Sequence, residues 1–180
     1  MEKCGVMMAK PKKDIQTVTP EGKLTKQLID GVRMRPATTH PDDRGSVCEV
    51  FNPNWGVHDG PLVYVYTATI RPNKIKGWVV HREQDDRLFV IQGTIRFVLF
   101  DDRADSPTYK MLNEIFIGEQ NRGLIIVPRG VYHALQNIGL TDAVFINLPT
   151  KAYNHGDPDK FRLPIHNDLI PYQFTTGSGG

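Results

Sequence analysis

Two short stretches of this chain hold side chains able to move a proton, bind a cation or steady an anion. The first, GWVVHREQDDRLFVIQG from Gly77 to Gly93, carries His81, Asp85, Asp86 and Arg87 just ahead of an apolar run. The second, PRGVYHALQN, puts Pro128 and Gly130 in a tight turn and His133 on the strand that returns from it. Imidazole exchanges protons near neutral pH, and a fixed cation beside it can stabilise an oxyanion as charge develops. Alternate side chains of a strand share a face, so Val79 and His81 point one way and Trp78 and Val80 the other. By the same rule Tyr132 points away from its neighbour His133. Two imidazoles and a carboxylate, His81, His133 and Asp86, also have the donor types of a divalent-metal site with open positions.

The elements around these residues read as β-structure. The chain has 180 residues, 39% of them hydrophobic and 23% charged, which suits one soluble domain with a sizeable core. Lys+Arg number 22 against 20 Asp+Glu, a net charge of +2 without a long basic block, so nucleic acid is not expected as a partner. Cys4 and Cys48 with no secretory pattern suit a reducing compartment, and no apolar run is long enough for a membrane span. A cytoplasmic protein without membrane partners is expected. Residues 1–20 read as a flexible arm, 21–174 as a single domain and 175–180 as a flexible tail. KLTKQLIDGV fits either a short helix or an edge strand. From Ser46 onward, apolar and β-branched runs such as LVYVYTATI, RLFVIQGTIRFVLF, NEIFIG, GLIIVP and AVFINLP alternate with turn sequences such as RPNK, DDRADSP and NHGDPD. No segment sustains a 3.6-residue apolar period. The pattern predicts an all-β protein, an antiparallel jelly-roll barrel or sandwich with a few short helices.

Together the two opening stretches resemble the paired signature segments of the cupin superfamily. The second keeps Pro128, Gly130, His133 and Asn137; the first keeps Gly77, His81, Asp86 and Gly93 but has Val79 at the place of its first histidine. With that ligand position apolar, neither a metal nor any other cofactor is expected. A narrower resemblance, over about residues 29–174, is to the dTDP-4-dehydrorhamnose 3,5-epimerases, metal-independent cupins acting on nucleotide-linked 4-keto-6-deoxy sugars. It rests on DDRGSVCEVF with Asp42, Arg44, Gly45, Glu49 and Phe51, on KGWVVH followed by DDRLFVIQG, on DDRADSPTY, and on VPRGVYHALQN.

That resemblance implies a reaction and assigns parts in it. A base removes a proton beside a ketone, a donor or cation holds the enolate oxygen, and a weak acid returns the proton from the opposite face. The family's base position falls at Val79 and its acid position, a tyrosine, at Asn147; neither residue here can serve. His81 and His133 are the remaining candidates for the base, each with an alternative reading as a hydrogen-bonded structural histidine. Arg87 stands for a family lysine and is the candidate for the enolate; otherwise it is a charge paired with Asp85 or Asp86. Tyr153 aligns with a tyrosine of the sugar site. Arg44 and Lys76 match cations that hold the diphosphate, an anion suited to guanidinium. Glu49 matches a nucleobase contact, Val47 replaces a stacking phenylalanine, and Tyr64 and Tyr66 replace two amides. The implied partner is a dTDP- or CDP-linked sugar, the setting surface-polysaccharide (O-antigen) biosynthesis, and the assembly a homodimer. A catalytically silent sugar-binding cupin and a metal-dependent cupin are the alternatives.

Overall fold

The computed structural model describes residues 12–22, 25–58 and 60–174. Among them are twelve strands and two three-residue 3-10 turns, Pro53–Trp55 and Glu119–Asn121, to which the expected short helices reduce. The strands are β1 (Arg33–Pro36), β2 (Thr39–Asp42), β3 (Gly45–Cys48), β4 (Tyr66–Ile70), β5 (Ile75–Val80) and β6 (Asp86–Gln92). They continue with β7 (Thr94–Asp101), β8 (Leu112–Gly118), β9 (Gly123–Val127), β10 (Val131–Asn137), β11 (Ala143–Asn147) and β12 (Phe161–Arg162). One sheet has the order β1-β9-β6-β11-β4, a second β12-β5-β10-β7-β8, and β2 and β3 form a separate hairpin. The pairings are antiparallel, as the jelly-roll reading requires.

Three apolar clusters explain why so many strands are hydrophobic on both faces. Between the sheets pack Leu88, Val90, Phe97, Leu99, Ile125 and Leu135, with their neighbours. On the outer face of the second sheet, Trp78, Val98 and Phe100 are covered by the C-terminal segment through Leu163, Ile165, Ile170, Tyr172 and Phe174. Outside the first sheet, Phe89, Leu124 and Leu148 are covered by Ala37, Cys48, Phe51, Trp55 and Val57. A strand buried on both sides gains from apolar residues at every position, so simple alternation is lost.

Two glycines are demanded by this packing. Gly93, with φ +78°, makes the turn between β6 and β7, a conformation other residues adopt at a cost. Gly77 lets β5 lie close against β10: a Cβ there would sit 2.4 Å from that of Ala134. The KLTKQLIDGV segment is neither helix nor strand where it is described, from residue 25; Ile29 is buried, and its backbone N–H donates to Asn113 Oδ1 at 2.8 Å. Residues 12–18 of the expected arm are exposed, whereas residues 1–11 and the expected tail 175–180 lie outside the described residues.

Candidate active site

Beside the apolar side chains packed between the two sheets lies a cavity of about 320 Å³, lined in part by the same cluster through Leu88, Leu135 and Phe145. Strand register decides what lines it. On the second sheet, Arg162, Val79 and His133 form one row across β12, β5 and β10. On the first sheet, Leu88, Asn147 and Tyr66 form a row across β6, β11 and β4, and Asp86 lies two residues along β6 on the same face. All seven side chains line the cavity.

Its polar centre is a His–Asp–His cluster. Asp86 Oδ2 lies 3.3 Å from His81 Nε2 and 3.4 Å from His133 Nε2, and all three residues are buried. The far nitrogen of each ring is already committed: His81 Nδ1 donates to the carbonyl oxygen of Asp159, and His133 Nδ1 to that of Val131 at 3.3 Å. With Nδ1–H fixed, a second proton on Nε2 is what allows a ring to donate to Asp86. Burial opposes charge on Asp86, yet the hydrogen bonds and charges of His133 and His81 outweigh it and hold the carboxyl far below the usual range. Burial likewise works against His81, but its bond to Asp86 and that carboxylate's charge raise it above the ordinary imidazole value. The cluster's three ligand-type atoms lie within 4.8 Å of one another, close enough to share a divalent ion. At these separations a proton on Nε2 of either ring satisfies Asp86, and a ring without one keeps that nitrogen able to accept.

The mouth of the cavity is cationic. Lys76, Lys160 and Arg162 line it, and among the described residues none is ion-paired with an acid. Burial and the neighbouring Arg162 and Lys76 lower the ammonium pKa of Lys160, which also feels Asp86. Three cations lacking counterions around one opening form a site for a polyvalent anion. Asp159 holds the segment that delivers two of them: its carboxylate accepts from the backbone N–H groups of Arg82, Glu83 and Gln84 at 2.9, 2.8 and 3.2 Å. Sequence reasoning singled out none of Asp159, Lys160 and Arg162. The available signal was the alternation of Lys160 and Arg162 after the turn sequence NHGDPD, which puts both on one face of a short strand.

Other candidates lie elsewhere. Arg87, expected at the enolate, faces away from the cavity, because its neighbour Asp86 faces in. It is 0% exposed and donates to four carbonyl oxygens: Leu148 at 2.5 Å, Gly60 at 3.0 Å, Pro61 at 2.9 Å and Pro149 at 3.3 Å. Nor does it pair with Asp85, which is bound by His58 and Arg129. Arg44 stands on the β2–β3 hairpin with its side chain 83% exposed, paired with Asp42, and Glu49 is exposed just beyond it; neither lines the cavity. Tyr64 and Tyr153 border an adjoining depression that shares Tyr66 and Lys160 with the cavity; Tyr64 packs its ring 5.6 Å from that of Tyr66, and Tyr153 stacks edge-on against His155. The DDRADSPTY motif builds a turn: Asp101 accepts from Arg103, Ser106 and Thr108, away from the opening.

An antiparallel jelly roll with a polar cluster in a cavity between its sheets is a fold of the cupin type. The family model for dTDP-4-dehydrorhamnose 3,5-epimerase matches residues 26–166, and the chain belongs to that family. It is 34% identical over 137 residues to the probable low-salt glycan biosynthesis epimerase Agl13 of Haloferax volcanii, covering 76% of this chain and 88% of that one. Spore coat polysaccharide biosynthesis protein SpsL of Bacillus subtilis is 32% identical over 151 residues, 83% of this chain and 98% of its own. In fold, the chain superposes on the dTDP-4-dehydrorhamnose 3,5-epimerase of Bacillus anthracis, a structure with TDP and PPi bound, with a TM-score of 0.73 at 20% identity, over 87% of this chain and 91% of that one. Among the described residues no helix is long and apolar enough to cross a membrane.

Proposed function

We propose that this protein epimerises a nucleotide-linked 4-keto-6-deoxyhexose for polysaccharide assembly, with His133 as the base that opens the reaction. The observation that carries this reading is the ladder pairing of Val79 with His133. Directly paired residues on antiparallel strands have Cβ atoms about 4.5–5.5 Å apart. An imidazole missing at position 79 is thus replaced by one a single strand away, in the same cavity. Asp86 and His81 stand behind it: the carboxylate stabilises the imidazolium that forms when His133 accepts the proton.

The remaining needs of the reaction are met by the cationic mouth. Lys76 and Arg162 suit the diphosphate. Lys160, the member that feels Asp86, is the cation for the enolate oxygen in place of Arg87. The reading includes a homodimer in the cytoplasm: Val47, 70% exposed on the β2–β3 hairpin, is an apolar surface that a second copy would cover. Arg44 and Glu49, on and just beyond that hairpin, would then meet nucleotide only across such an interface.

Incubation with dTDP- or CDP-4-keto-6-deoxyglucose in heavy water tests the proposal. Deuterium should enter at carbon 3 or carbon 5, and the His133→Gln variant should lose that uptake while still binding dTDP. Tight binding by the unmodified protein with no uptake from either sugar would make it a sugar-binding cupin without turnover.

A further inference from the structure

We propose that Tyr66 is the proton donor that completes inversion, delivering hydrogen to the face of the sugar opposite His133. The inference rests on the epimerase reading above. Inverting a carbon beside a ketone requires the C–H bond broken on one face to re-form on the other. In the first step the C–H electron pair passes into the enolate and the proton goes to Nε2 of His133. In the second, the enolate carbon takes the phenolic hydrogen of Tyr66, leaving a phenolate and an imidazolium. Loss of one proton to solvent and gain of another reset both groups, and no oxidant or reductant is needed.

The cavity's construction singles out this tyrosine. His133 belongs to one sheet, so a donor for the other face of a sugar lying between the sheets must come from the opposing wall. That wall presents Tyr66, Ala68, Asp86, Leu88, Phe145 and Asn147. Leu88, Ala68 and Phe145 carry no exchangeable proton, and an amide such as Asn147 does not release one readily. Asp86 is held ionised by the two histidines. Tyr66 remains.

Its hydrogen bonding leaves the proton available. Asn147 Nδ2 donates to the Tyr66 hydroxyl oxygen at 2.9 Å, so that oxygen is an acceptor there and its own hydrogen points elsewhere. Among the described residues the hydroxyl has no acceptor of its own, and Asn147 Oδ1 is a buried acceptor without a partner in the same wall. The wall thus offers a sugar one donor and one acceptor side by side. Burial, then the charge of Asp86, raise the phenol above its ordinary value, so it keeps its proton until the enolate forms. Lys76, Lys160 and Arg162 line the same cavity and offset the charge of the transient phenolate.

The test compares the unmodified protein with Tyr66→Phe, an isosteric change, in heavy water with dTDP-4-keto-6-deoxyglucose. Deuterium in recovered substrate and epimer formation are followed separately, and dTDP binding by calorimetry verifies the pocket. The donor role predicts that the variant still exchanges deuterium into recovered substrate while epimer formation falls by about 10²- to 10⁴-fold, the usual worth of a positioned acid. Epimer formation at the unmodified rate would overturn it. Loss of exchange and inversion together would also overturn it, because Tyr66 would then be holding the enolate oxygen. Absence of both activities from the unmodified protein would defeat the epimerase reading, and this inference with it.

Discussion

Replacing Arg87 with methionine separates a structural cation from a chemical one. The guanidinium is fully buried and donates to the carbonyls of Gly60, Pro61, Leu148 and Pro149, and its carbon lies 4.8 Å from the ring centroid of Phe51. Hydrogen bonds to a charged group contribute about 1.5–3 kcal/mol each. Burying the guanidinium has its own cost, which methionine avoids, so the four bonds do not simply add. Leaving a buried acceptor without its donor costs about 1–3 kcal/mol, so a net loss of about 3–5 kcal/mol is expected from these carbonyls together. For a chain of this size, each kcal/mol moves the melting temperature by about 2–4 °C, so the expected fall is about 6–20 °C. Calorimetry measures that fall, and deuterium exchange at a temperature where the variant is folded measures the chemistry. Exchange should stay within about threefold of the unmodified protein. A variant with an unchanged melting temperature and abolished exchange would refute the reasoning and return Arg87 to the enolate.

The remaining predictions concern the cavity. His133→Gln should lower the exchange rate by about 10²- to 10⁴-fold with dTDP affinity unchanged, as isotope uptake and calorimetry would show. His81 is raised from its ordinary 6.5, so its pairing with Asp86 stabilises the fold fully below that pH and is lost as pH rises through the folded value; Asp86, lowered from 3.8, contributes above 3.8 until acid reaches its folded value. Thermal stability should therefore decline as pH rises above 6.5 through the raised value of His81, and Asp86→Asn should flatten that trend in melting curves taken across the range. Lys76→Ala and Arg162→Ala should each weaken dTDP binding by about 10- to 150-fold, the equivalent of one charge-assisted contact, with a shallower salt dependence in titration calorimetry. Adding Asn147→Tyr to Tyr66→Phe should restore part of the lost epimer, since paired positions on β4 and β11 place their side chains about 4.5–5.5 Å apart.

What the sequence determined by itself was local. Turn residues and β-branched runs gave the strands from β4 to β11, and period-two alternation turned Val79 and His81 to one face, as it did Asp86 and Leu88. The same alternation bears on Arg87: it cannot share a face with Asp86, and treating both as pocket residues passed over that constraint. Its partners, four carbonyls from residues 60–61 and 148–149, come from chain segments that no local pattern connects to β6. Tertiary structure alone decided which strands lie side by side and in what register. Register sets Val79 against His133 and Asn147 against Tyr66, and it brings Arg162 from 83 residues down the chain to complete a row with Val79. A side chain's type says which chemistry it can do. Its neighbours across the ladder, fixed only when the sheets close, settle whether it has a counterion, a donor or a buried carbonyl to satisfy first.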